Sequence, residues 1–168
     1  MIRTLRITRR SAVKARAQAA NQIQALLITA PEGLKSELGE LSTARVVEKA
    51  SRLRPGATPS DVEAATKFAL RSVARRYQHL SKEISELGEQ LDRLVSEVAP
   101  ELIAVEGIGT DTAASLLIAA GDNPERLKNE AAFAHLCGAA PIPASSGKSV
   151  RQRLNRHGER DARAELST

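Results

Sequence analysis

The chain has 168 residues and a formal net charge of +5, and its 42% of apolar residues is ordinary for a globular protein. Its single cysteine excludes an intramolecular disulfide framework, and no apolar run approaches the ~18 residues that a membrane span needs. Aromatic residues make up only 2% of the chain, so Leu, Val, Ile and Ala must build the core, which favours an all-α fold. The N-terminus has no apolar stretch of the secretory-signal type, and we expect a cytoplasmic protein with no membrane partner.

The charge is unevenly distributed along the chain. Residues 1–30 contain six Lys and Arg and no acid, residues 31–144 contain 13 basic and 17 acidic residues, and residues 145–168 contain six basic and three acidic residues. Clustered cations at both ends predict a polyanionic partner, because Lys and Arg release counterions from phosphates. Solvated helical faces are the alternative interpretation.

The first predicted element is a basic helix over about residues 5–29, which are rich in Ala, Gln, Arg and Lys and contain no Gly or Pro. Its apolar seam is weak and consists of Leu5, Ala12, Ala19, Ile23 and Leu26. Pro31 and the glycines that follow end the helix, and a short helical turn is predicted around residues 34–41.

The second predicted element is a long helix over about residues 60–98. Ser60 as N-cap and Glu63 three residues later form a capping box. An apolar repeat of 3.5 residues follows, which is the period of a coiled coil: Leu70, Val73, Tyr77, Leu80, Ile84, Leu87, Leu91, Leu94 and Val98. The partner is either the first helix, folded back in an antiparallel hairpin, or the same helix of a second chain. Residues 1–99 are thus predicted to form a basic helix and coiled-coil arm, with an inert spacer as the alternative to a functional role.

Residues 100–168 are predicted to form a small helix-hairpin-helix-like domain. A short helix over residues 101–105 leads into a tight turn at Gly107, Ile108 and Gly109, and a helix capped by Thr110 or Asp111 then runs to residue 120. Glycines let such a turn approach a phosphate closely, and the positive end of the second helix favours an anion there. We therefore predict that Gly107, Ile108 and Gly109 contact the DNA backbone. The alternative is an αα-corner used only for packing, which the nearby acidic residues favour.

A predicted loop over residues 139–148 carries Ser145 and Ser146. It is followed by a basic run made of Lys148, Arg151, Arg153 and Arg156. A serine hydroxyl attacks a phosphodiester when nearby cations stabilise the developing oxyanion, and Arg can hold a phosphate through two hydrogen bonds. These residues are therefore candidates for a nucleophile and for DNA binding.

Other chemistry has little support in the sequence. His79, His135 and His157 have no carboxylate partners at ligand spacing, so no metal site and no cofactor are predicted in this chain. Cys137 lies in an apolar helical stretch and is predicted to be a buried structural thiol. No phosphate-binding loop or dinucleotide motif is present.

Four segments taken together resemble a known family. In order along the chain they are 105–114 (VEGIGTDTAA), 121–122 (GD), 132–148 (AFAHLCGAAPIPASSGK) and 153–158 (RLNRHG). The combination is similar to the C-terminal half of transposases of the insertion-sequence 110 family, also named for sequences 116 and 902. Residues 1–98 are similar to the coiled-coil region that joins the two catalytic parts of those proteins.

The resemblance implies a DNA transposase or recombinase that works with a structured guide RNA. In this family an N-terminal RuvC-like domain supplies four acidic residues for Mg²⁺, and a serine in the C-terminal domain attaches covalently to DNA. By the resemblance that serine is Ser145 or Ser146, and Ser146 is favoured because it directly precedes Gly147.

From the resemblance we expect that this sequence lacks the family's RuvC-like acidic part and its final helices. We therefore expect a truncated, nucleoid-associated transposase that binds DNA, has no Mg²⁺ site of its own and is inactive alone. The alternative function is a non-catalytic coiled-coil module that pairs with a second copy or with a full-length transposase and inhibits it.

Overall fold

The computed structural model describes residues 1–56, 58, 61–121, 129, 131–132, 134, 141–143 and 152–154. Helices dominate this part of the chain, and the predicted all-α fold class is confirmed. The elements are α1 (Ile2–Ile28), α2 (Glu32–Leu38), α3 (Thr43–Ser51), α4 (Val62–Val98), α5 (Pro100–Ile103), α6 (Thr110–Ala120), β1 (Pro141–Pro143) and β2 (Gln152–Leu154).

The chain divides into two compact units. One consists of Met1–Arg6 with Gln90–Thr168, and the other of Ile7–Glu89, so α1 and α4 contribute to both. The predicted division into an arm over residues 1–99 and a domain over residues 100–168 stays a prediction.

The Ile7–Glu89 unit contains the predicted antiparallel hairpin. Gln22 of α1 accepts a hydrogen bond from Arg76 of α4, and the guanidinium of Arg16 lies 5.8 Å from the ring centre of Tyr77. Arg9 lies against Gly88 further along α4. Residues with lower numbers in α1 thus contact residues with higher numbers in α4, so the two helices of one chain run antiparallel. Supercoiling of the pair stays a prediction.

Small residues on α1 explain how this pairing forms from a weak seam. Ala12 and Ala19 are buried, and their small side chains let the neighbouring helix backbone approach closely. The larger side chain of Ile23 is also fully buried. Around Ile23 the core broadens to include α2 and α3, which close over the hairpin. Its buried members are Ile23, Leu27, Ala30, Leu34, Leu38, Val46, Val47, Ala50, Leu70 and Ala74.

The seam of α4 is buried to very different degrees along its length. Leu70, Ile84 and Leu91 are buried, with 8% or less of their surface exposed. Val98 is 61% exposed. The remaining seam residues are half-buried, and they are Val73, Tyr77, Leu80, Leu87 and Leu94. The predicted periodicity of the helix is therefore real, but part of the seam is not covered by the described residues.

The N-terminus of α4 is capped one residue later than predicted. Asp61 Oδ1 accepts a hydrogen bond of 2.7 Å from the amide of Ala64, and the helix begins at Val62. This is the geometry of an N-cap, so Asp61 takes the role that the sequence analysis gave to Ser60. Ser60 itself lies outside the described residues.

The second unit has its own small core. Leu91 and Val95 at the end of α4 pack with Ala113 and Ala114 of α6. Partly buried side chains surround them: Ile2, Leu5, Leu102, Ile103, Ile108 and Leu117. Pro100 starts α5 as its first helical residue, where the missing N–H costs nothing, and thereby separates α5 from α4.

A short antiparallel strand pair corrects the predicted loop at residues 141–143, and the rest of that loop lies outside the described residues. Strand β1 pairs with β2, with Ile142 opposite Arg153. The prolines on either side of Ile142 led to the prediction of a loop, since proline cannot donate to a β ladder. A two-stranded pair of three residues each tolerates them, because Ile142 still has an N–H and both strands are edges.

Candidate nucleic-acid interface

The turn between α5 and α6 is built by local hydrogen bonds and one left-handed glycine. The amide of Ala104 donates to the carbonyl of Pro100 at 3.2 Å, and that of Ile108 donates to Val105 at 3.1 Å. Between them Gly107 has φ +86°, a conformation that L side chains rarely adopt. The sharp turn predicted at Gly107 is therefore present, and its backbone geometry requires glycine at that position.

Gly109 has a different role from Gly107. It is the N-cap of α6, with φ −81° and ψ 172°, and α6 has no side-chain cap hydrogen bond there. The prediction that Thr110 or Asp111 caps the helix was wrong, because both residues belong to the first helical turn. No heavy atom lies within 4 Å of a Cβ built on either Gly107 or Gly109, so both glycines face open space.

Ile108 points toward protein. It is partly buried and packs against the cluster around Leu91 and against Leu116 and Ala119. It therefore fills the gap between the short α5 and α6, as the sequence analysis expected of its packing. A contact between Ile108 and DNA stays a prediction, and the observed packing is also what an αα-corner would show.

The charge around this turn is negative. Glu106 and Asp111 are both exposed and flank the turn on either side. Asp111 lies in the first turn of α6, where a carboxylate interacts favourably with the helix dipole. A phosphate approaching the amides of the turn would meet both carboxylates, so the turn by itself is a weak anion site.

The serine loop and most of the basic run lie outside the described residues. This applies to Ser145, Ser146, Lys148, Arg151 and Arg156, and also to Cys137, so their predicted roles stay predictions. Arg153 lies in β2, and its backbone pairs with Ile142. Pro143 is paired with Gln152, so the residues on either side of segment 144–151 lie next to each other. Both serines and Lys148 belong to that segment in sequence.

No metal centre is found in the described part of the chain. The residues described there contain no group of three or more His, Cys, Asp or Glu side chains placed to hold an ion. The resemblance implies Mg²⁺ in a RuvC-like domain, and the absence of a metal site from this chain stays a prediction. The helices that the structure describes include none long and apolar enough to cross a membrane.

The comparisons with known proteins bear on the C-terminal part. Residues 99–168 match the Transposase IS116/IS110/IS902 family, which confirms the resemblance seen in the sequence over these residues. The match begins one residue after the end of α4 and includes the α5–α6 turn, both strands and the serine loop. It indicates a transposase-related function. No curated protein and no solved structure matches the chain.

Proposed function

We propose that this chain is part of an insertion-sequence transposase and that its C-terminal residues bind DNA. The observation that carries the proposal is the family match over residues 99–168, because this one segment contains the glycine turn and the basic run after Lys148. Basic side chains in that run would hold backbone phosphates, which fixes the position of DNA without reading its sequence. The backbone amides of the turn at Gly107 and Gly109 would add contacts of the same kind.

The proposed nucleophile is Ser146, with Ser145 as the alternative. In the reaction, the serine Oγ bonds to phosphorus, the bond from phosphorus to one deoxyribose oxygen breaks, and the departing hydroxyl takes up the proton that serine loses. Lys148 and the arginines after it would stabilise the negative charge that develops on the phosphate oxygens. The basic run and the serines are adjacent in sequence, which supports this division of roles.

We further propose that the chain binds DNA, and with it a structured guide RNA, but does not form the covalent adduct alone. The family resemblance implies that four acidic residues of a RuvC-like domain complete the active site. Mixing purified protein with labelled duplex DNA and resolving the products on a denaturing gel tests the proposal. We expect binding under native conditions and no slow-migrating adduct.

An adduct lost in Ser146→Ala and kept in Ser145→Ala would overturn the proposed inactivity and would assign Ser146 as the nucleophile. The reverse pattern would assign Ser145. Absence of any binding to duplex DNA, even at low salt, would overturn the DNA-binding proposal itself. Variants K148Q and R156Q should weaken binding if the basic run contacts phosphates.

A second candidate function is pairing through α4, and the partial exposure of its seam favours it. Leu80 and Leu87 are half-buried, whereas Leu91 is 1% exposed within its own unit. Leu87→Asp should therefore reduce any self-association in sedimentation while the fold is kept. Leu91→Asp would unfold the core instead and does not report on pairing. Ser85→Asp, at an exposed position of the same helix, is the matched control.

A further inference from the structure

The basic residues near the start of α1 lie opposite an acidic stretch of α4. Arg9 of α1 lies against Gly88, which is flanked in sequence by Glu86 and Glu89. Residues 83–98 of α4 contain five acidic residues and one Arg. The antiparallel pairing thus places the basic stretch of α1 beside an acidic stretch of α4.

The other half of α4 receives no acidic side chain from α1. Residues 64–82 contain five Lys and Arg and no acid, and the part of α1 that pairs with them, residues 17–30, contains no charged residue at all. The contact of Arg76 with Gln22 shows this pairing directly. Cations on this stretch of α4 therefore receive no opposite charge from the helix that packs against it.

Helix α3 adds more positive charge at the same place. The Nε of Arg75 donates to the carbonyl of Ser51 at 3.3 Å, and Nε2 of Gln78 donates to the hydroxyl of Ser51 at 3.2 Å. These bonds hold the C-terminal end of α3 on the exposed side of α4. Arg52, which follows Ser51 directly, and Arg54, two residues further along the chain, are both exposed.

We call this surface the basic stripe, and its members are Arg52, Arg54, Arg71, Arg75 and Lys82. Arg71, Arg75 and Lys82 are four and seven residues apart and share one face of α4, which gives a length of about 17 Å at 1.5 Å per residue. Phe68 begins this face. Its ring is 48% exposed and lies 5.6 Å from the guanidinium of Arg71.

Two acidic residues pair with members of the stripe, and both are at exposed positions. Glu48 pairs with Arg52 at 3.2 Å and Glu86 pairs with Lys82 at 3.6 Å, both within single helices and open to solvent. Such pairs contribute little and are screened by salt, so an incoming phosphate can replace them. Lys67 is different and is left out of the stripe, because its hydrogen bond with Glu63 raises the pKa of Lys67 and holds the two charges together.

We propose that the basic stripe is a binding surface for the sugar-phosphate backbone of a nucleic acid. Several Arg and Lys in a line, with one exposed aromatic ring among them, fit an extended polyanion that has phosphates at regular spacing. A membrane surface fits less well, since an interfacial helix inserts its apolar face into lipid. The apolar face of α4 is already occupied, as Leu70 and Ala74 are buried in the protein core.

All residues of the stripe precede in sequence the segment 99–168 that matches the transposase family. This inference does not rest on the proposed function. The stripe residues are not among the predicted binding residues, which lie in the turn at Gly107 and in the run from Lys148 onward. Either surface can fail in experiment without the other.

The test is binding of the full chain to a fluorescent 30-nucleotide single strand and to the corresponding duplex, each measured over a range of salt concentrations. The stripe variant carries R54E, R71E and K82E. The control variant carries K14E, K35E and R93E, which change the net charge equally at positions outside the stripe. We expect the stripe variant to bind at least tenfold more weakly and the control to change less than threefold. For the duplex, the slope of log binding constant against log salt concentration should fall in magnitude by about two to three in the stripe variant. Each phosphate contact contributes ~0.9 to that slope, and the variant removes three cations.

Equal weakening in both variants would overturn the proposal, because binding would then follow net charge alone. The proposal would also be wrong if K148Q and R156Q weakened binding and the stripe variant did not. That result would support the C-terminal site alone. Loss of binding to phosphatidylserine vesicles with unchanged nucleic-acid affinity would identify a lipid surface instead. Circular dichroism checks that each variant is folded, and a milder set, R54Q, R71Q and K82Q, replaces the first if charge reversal prevents folding.

Discussion

The Nε atom of Arg9 in α1 lies 3.5 Å from the position that a Cβ would occupy on Gly88 in α4. This glycine lies in the interior of a 37-residue helix, where glycine is less favourable than alanine by roughly 0.5–1 kcal/mol. A distance of 3.5 Å is an ordinary van der Waals contact, so there is space for one methyl group beside the arginine stem but not for a larger side chain.

We therefore expect Gly88→Ala to stabilise the protein by roughly 0.5–1 kcal/mol, because it removes backbone entropy from the unfolded chain without a clash. Urea unfolding followed by circular dichroism measures this change. Gly88→Leu is the matched comparison and should be destabilising, since its side chain would displace Arg9. If the Ala variant lost stability, the interpretation of the Arg9 contact would be wrong.

Two glycines of the α5–α6 turn should respond differently to the same substitution. Gly107→Ala should destabilise the turn by about 1–2 kcal/mol, because φ is +86° and a Cβ disfavours that conformation even in open space. Gly109→Ala should cost only a few tenths of a kcal/mol, because its backbone is extended and alanine is merely a poorer N-cap. Hydrogen exchange of the α6 amides compares the two variants. Equal effects would argue against the left-handed conformation at Gly107.

The cap of α4 provides a third prediction. Asp61→Ala should cost about 1 kcal/mol, since the amide of Ala64 loses the carboxylate that accepts its hydrogen bond. Asp61→Asn keeps an oxygen at the same position and should restore most of that loss. The free energy of unfolding in urea is the measurement, and a loss of stability in Asp61→Asn as large as in Asp61→Ala would indicate that the carboxylate charge is what matters.

The uneven burial of the α4 seam predicts an uneven response to truncation. Leu70→Ala should destabilise by about 2–5 kcal/mol, because its side chain is 0% exposed in the core and the substitution leaves a cavity. Leu80→Ala should cost clearly less, since Leu80 is half-buried and water already reaches part of its surface. Thermal unfolding of the two variants at equal concentration compares them. A cost at Leu80 equal to that at Leu70 would mean that another surface covers Leu80 in solution.

Much of the helical structure was predictable because its signals are local. The 3.5-residue repeat from Leu70 onward predicted α4, and Pro31, Pro100 and Gly121 mark places where helices stop for reasons of backbone chemistry. Gly121 adopts φ +68° after the last residue of α6, as the sequence led us to expect. The cap at Asp61 was missed by one residue because Ser60 and Asp61 are both good N-cap residues and only the backbone path decides between them.

The candidate site was predicted less completely. The prediction of a turn at Gly107 was correct, because a glycine between two helical stretches is a clear sequence signal for a left-handed turn residue. The packing of Ile108 into the core also followed from its position between the glycines. The strand pair that joins Ile142 to Arg153 was not predicted, since proline on both sides of Ile142 argues for a loop in any local analysis.

The sequence by itself determined the class of fold, the length and phase of α4, and the resemblance of the C-terminal segment to a transposase family. It also showed that residues 1–30 hold six cations and no acid. Only the tertiary structure decided which charged stretches lie side by side. The antiparallel pairing lays the basic part of α1 beside an acidic stretch of α4, whereas the bonds from Arg75 and Gln78 to Ser51 bring the cations that follow α3 next to those of α4. The physical reason is that electrostatic compensation depends on distance in space, and these helices meet across more than 20 residues of sequence.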